Sequence, residues 1–116
     1  MKLGTLRLNG AETVVGRVDE HHAVALDTPT MEAMILGGNA TLDAAHAAIE
    51  KGKAGASELI ETDNADWMAP NPRASKIIGC AVNNNRLNET SHRPMKSPMF
   101  FMKGRSALTG HGKPIH

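Results

Sequence analysis

Aromatic side chains are nearly missing from this chain: among 116 residues there are two Phe, one Trp and no Tyr. A core of stacked rings is therefore excluded, and the interior must come from aliphatic residues, Ala and the seven Met. The single cysteine, Cys80, cannot form an internal disulfide, so nothing calls for an oxidising compartment. No apolar run reaches transmembrane length, and Met1-Lys2-Leu3-Gly4 lacks the apolar stretch of a secretory signal. A cytoplasmic protein without membrane association is the expectation.

What is present is ordinary in amount and uneven in placement. The hydrophobic fraction of 41% and charged fraction of 22% are those of a globular domain. Formal net charge is only +1, yet residues 1–70 hold eleven acids against five Lys or Arg, a balance of −6. Residues 71–116 hold eight Lys or Arg and one acid, Glu89, a balance of +7. Such a division predicts that the second part faces something anionic: a carboxylate substrate, an acidic protein surface or nucleic acid. Nucleic acid is disfavoured, because Phe100 and Phe101 are consecutive rather than interleaved with cations, and no module signature is present.

The fold class expected is α+β. Leu3, Leu6 and Leu8, then Val14, Val15 and Val18, then Ala23 to Leu26 read as a three-stranded antiparallel meander, with Asn9-Gly10 as its hairpin turn. Two short helices follow. Thr30 precedes Met31 to Leu36, and Thr41 is placed to cap Leu42 to Lys51, with Gly52 just past the end. Leu42, Ala45 and Ile49 recur at helical spacing and should lie on the sheet.

Residues 53–75 read as a connector in which Leu59-Ile60 can form a short strand and Ala69-Pro70-Asn71-Pro72 runs extended. The division expected is a small α+β domain with its connector over 1–72, and the opening of a second domain over 73–116. In that second part Lys76 to Val82 reads as a strand buried on both faces, ended by Asn83-Asn84-Asn85. Residues 86–98 are polar and, with Pro94 and Pro98, are expected to be irregular. Met99 to Met102 reads as one more strand, belonging to a core, and Cys80 as a buried thiol.

Ala69-Pro70, Lys76-Ile77-Ile78-Gly79, Asn83, Pro94, Pro98, Phe101-Met102-Lys103, Ser106-Ala107-Leu108, Gly110 and Pro114-Ile115 form an ordered set. This set resembles the start of the catalytic domain of the fumarylacetoacetate hydrolase family. Gly16-Arg17-Val18 and Ala25-Leu26-Asp27 resemble that family's N-terminal domain more loosely. The resemblance implies the first strands of an incomplete mixed β-fold. It also implies hydrolysis or decarboxylation at carbon–carbon bonds beside a ketone in 2-oxo or 1,3-dioxo acids, assisted by Mg²⁺ or Mn²⁺ held on carboxylates. Asn83 matches the family's strand-end Asn and Lys103 its lysine, both as substrate-binding residues.

Two departures accompany the resemblance. The family's His and Glu positions are occupied here by Leu87 and Thr90. Glu89 and His92 lie close by and form a candidate catalytic dyad, displaced or reversed in order, in which the carboxylate orients an imidazole that takes a proton from water. The plainer alternative makes both solvated loop residues. The second departure is that Glu89 is the one carboxylate side chain after residue 70, so no metal ligands are assigned and no cofactor is expected to bind this chain alone. The expectation is thus the front part of an enzyme, inactive until completed, whose partners are an anionic 2-oxo acid and either a second copy or a complementary chain of the same family. A non-catalytic subunit or interaction module is the rival class.

Overall fold

The structure is a computed structural model and describes residues 1–90 and 97–115. Two compact units are present, one comprising Met1–Arg73 with Leu108–His116, the other Ala74–Ala107.

The first unit is α+β. Strands β1 (Leu3–Leu8), β2 (Ala11–Arg17), β3 (His22–Ala25) and β4 (Ile60–Glu61) form one antiparallel sheet in the order β1-β2-β3-β4. The sheet therefore has four strands, not three, the fourth being the short Ile60 strand. Asn9 and Gly10 both take positive φ, 49° and 81°, the backbone that a two-residue hairpin turn needs to match strand twist. Leu8 then pairs with Ala11.

Adjacent strand residues point to opposite faces, and here both faces are covered. Val14 and Val24 bury against Met31, Met34, Ala45 and Ile49 of the helices, whereas Val15 and Ala23 join Leu6 beneath Ile60, Ala65 and Trp67. The unbroken pairs Val14-Val15 and Ala23-Val24 are thus explained by two half-cores. The free edge of β1 is also occupied: Arg7 N–H donates to Asp66 O at 2.9 Å, and Met68 N–H donates to Thr5 O at 3.0 Å. The segment after β4 has curled round to the first strand and covers the Thr5–Arg7 part of its edge.

Helix α1 (Met31–Leu36) is capped as expected, the Thr30 hydroxyl accepting from Ala33 N–H at 3.1 Å. Helix α2 is longer than the spacing suggests, Gly38–Lys53. Thr41 is not its cap; it sits in the first turn and its hydroxyl donates to Met34 O at 2.7 Å, tying α2 back to α1. Gly52 lies inside α2, where an added Cβ would come within 2.7 Å of Val24 and 2.8 Å of Val18. A bare backbone there lets the helix approach the sheet. The buried face is Ala45, Ile49 and Gly52, while Leu42 is half out in solvent.

In the second unit β5 (Ile77–Ala81) and β6 (Met99–Lys103) form a two-stranded antiparallel sheet, and Asn85–Thr90 is a short helix, α3. Three expectations are corrected. Residues 85–90 are helical, since the breakers Pro94 and Pro98 lie beyond them. Strand β5 is not buried on both faces: among the described residues it has one partner strand, and Ile78 is 63% exposed. The Met-Phe-Phe-Met run and Cys80 are likewise exposed rather than core.

Among the described residues, no helix is long and apolar enough to cross a membrane.

Candidate functional site

The residues singled out for chemistry belong to the second unit. Asn83 is exposed just past β5, and the residue before it, Val82, holds φ at 50°. A β-branched side chain is a real outlier at positive φ, so the bend that sets the direction of Asn83 is made at a strained position. Glu89 is exposed on α3. Its proposed companion His92 lies outside the described residues. Lys103 ends β6 and pairs with Ile77, the start of β5.

Antiparallel pairing therefore puts Lys103 at one end of the ladder and Asn83 beyond the other, and the ladder from Ile77 to Ala81 is itself roughly 14 Å long. The Lys103 side chain lies back along its own strand, its Nζ 6.0 Å from the centroid of the Phe101 ring, which shortens that separation. Phe101 itself covers Gly79, where any Cβ would collide with the ring. Among the described residues, no group of three His, Cys, Asp or Glu side chains is gathered to hold a metal. With Glu89 the lone acid of this unit, the donor set does not fit a hard divalent ion, which takes six or more oxygen ligands.

Among the described residues, the titratable groups with displaced pKa values lie in the first unit. His21 and His22 part: His21 Nδ1 meets both Asp63 oxygens at 2.9 and 3.0 Å, and His22 Nδ1 meets Asp19 at 2.9 and 3.1 Å. The hydrogen bond to Asp63 and then its charge raise the His21 pKa, opposed by partial burial and by Arg17. Asp19 is held low, first by the His21 backbone N–H and then by the His22 side chain. Asp66 is held low chiefly by Lys113, with Arg7 adding charge. The His21–Asp63 pair spans 42 positions and has no spacing signature in the sequence.

A raised imidazole pKa means that folding is favoured by proton binding at His21. That contribution is complete below the unfolded value near pH ~6.5 and is lost as pH rises through the higher folded value. Both partners are about half exposed, so the effect is small. The urea midpoint of the natural protein should fall between pH 6 and pH 8, and His21→Gln should flatten that fall.

No family model matches the chain, and no curated protein matches it. The architecture observed is that of a small α+β domain joined to a two-stranded β unit.

Proposed function

We propose that this chain is the front part of a metal-dependent hydrolase or decarboxylase of the fumarylacetoacetate hydrolase type, acting on 2-oxo or 1,3-dioxo acids once completed. One observation carries the reading: the apolar face of the β5–β6 pair. Ile78, Cys80, Phe100 and Met102 share a face by register, and the three large ones are 63%, 65% and 70% exposed for Ile78, Phe100 and Met102. Two strands alone are marginal in water, and such a face is what the opening strands of a larger sheet present before the remainder covers them. The ordered residues from Ala69 to Ile115 that resemble the family's catalytic domain support the same reading.

Within the completed enzyme, Lys103 supplies a cation for the substrate carboxylate and Asn83 an amide donor for a substrate oxygen. The carboxylates for Mg²⁺ or Mn²⁺ come from the completing part. By the resemblance, Glu89 and His92 are the candidate groups of this chain for proton handling in the completed enzyme, with two solvated residues as the plainer alternative.

The test joins this chain to the polypeptide encoded immediately downstream and assays 2-oxo acid turnover with magnesium. Activity is expected only in the joined form, and Lys103→Ala there should lower kcat/KM about a hundredfold. Turnover by residues 1–116 alone, or a downstream segment without carboxylates to hold the metal, would overturn the reading. A joined protein that binds a partner chain but turns over nothing would favour the interaction-module alternative.

A further inference from the structure

We infer that a cleft in the first unit is a binding site for a small zwitterion, namely a free α-amino acid with an apolar side chain. The inference goes beyond the activity proposed above and does not depend on it. The cleft has a volume of about 460 Å³, within the range of small-molecule sites. Arg17 and Glu20 come to it from the end of β2 and the turn after it, Ala23 from β3, and Thr62 and Asp63 from the turn after β4. Trp67 forms a wall and His111 completes the lining.

The charges are of both signs, and Arg17 and Glu20 both keep hydrogen-bonding capacity for a ligand. Arg17 is fixed by its own turn, Nε donating to Asp19 O at 2.6 Å and Nη2 to Glu20 O at 3.4 Å. Among the described residues its Nη1 has no protein partner, so the guanidinium is already ordered with donors to spare. The Asp63 carboxylate is shared with His21, but the Glu20 carboxylate has no hydrogen bond or ion pair among the described residues. A purely anionic ligand would face Glu20 unmatched, and a purely cationic one would face Arg17. A ligand bearing a carboxylate and an ammonium satisfies both.

The apolar part of the ligand has its surface in Trp67 and Ala23. The indole does not swing freely: Nε1–H donates to Thr62 O at 3.3 Å, and the ring packs against the Leu6, Val15 and Ala23 cluster. His111 is brought to the cleft because Gly110 sits directly on the Trp67 carbonyl, a contact closed to any residue with a Cβ. The Trp67 wall and the Arg17 end are therefore held in place before ligand arrives.

Trp67 is the only Trp and there is no Tyr, so its fluorescence reports on this cleft without interference. Titration of the full chain with L-leucine should give a saturable change with a Kd of about 1 mM, confirmed by calorimetry in case the fluorophore is silent. Leucinamide, which lacks the carboxylate, and 4-methylpentanoate, which lacks the ammonium, should each bind about tenfold more weakly. Glu20→Gln keeps the size of the side chain and breaks no bond of the fold; it should weaken L-leucine about tenfold while leaving 4-methylpentanoate no weaker, since a like charge is removed from its path. Absence of saturation by either method up to roughly 50 mM would overturn the inference. So would equal binding of 4-methylpentanoate and L-leucine, or unchanged L-leucine binding in Glu20→Gln.

Discussion

Leu6→Ala should cost the first unit about 3 kcal/mol, the largest loss expected from any single truncation in it. Leu6 is fully buried, sits in the centre of β1 and packs with Val15 and Ala23 under Trp67. Strand neighbours on both sides of β1, from β2 and from the segment around Trp67, keep the backbone from relaxing into the vacated space. The cavity term therefore adds to the lost transfer energy. Leu36→Ala removes the same atoms from a side chain 80% exposed and should change stability by less than about 0.5 kcal/mol. Urea denaturation followed by Trp67 fluorescence checks the pair, and comparable costs at the two positions would show that the Leu6 cluster is not a closed core.

Gly110→Ala should detach residues 108–116 from the first unit at a cost of about 2 kcal/mol. The obstacle to a Cβ at this position is the Trp67 carbonyl oxygen and the Met68 Cα, and backbone atoms cannot rotate aside as a side chain can. Lifting the segment also separates Lys113 from Asp66, an ion pair that contributes little alone because both partners are over two-fifths exposed. The expected readouts are a red-shifted Trp67 emission and a return of the Asp66 carboxyl toward its ordinary range. Gly104→Ala is the contrast, since an added Cβ there meets only the Ser106 hydroxyl at 3.5 Å. Indistinguishable emission spectra for the two variants would mean that the segment does not rest on Trp67.

Much of the first unit was legible because its signals are local. Asn9-Gly10, the Thr30 cap and the apolar positions of β1 each depend on residues within one turn or one strand. The start of α2 was misread because Thr41 looks like a cap by type, whereas its hydroxyl is used to bond Met34 O seven positions back. The covering of Leu6 by Trp67 and the His21–Asp63 pair join distant positions, and nothing in their composition announces the partner. In the second unit the apolar runs of β5 and β6 marked the strands correctly, but the burial read from them is not found. Hydrophobicity says that a face favours cover; it does not supply it. Of the residues expected to carry chemistry, Asn83 and Lys103 are found at opposite ends of one ladder, a consequence of antiparallel register that spacing along the chain does not reveal.

Residues Ala74–Ala107 interrupt the first unit, whose last piece, Leu108–His116, comes after them. On a ribosome this order matters. The sheet and helices of residues 1–73 emerge early, but the Trp67 carbonyl and the Asp66 carboxylate must wait for Gly110 and Lys113 until an excursion of about 34 residues has been synthesised. Bringing the ends of a free loop of that length together costs about 3 kcal/mol before any constant term. The nascent domain is therefore held open on one side during translation, and the part that begins to form first is the last to finish.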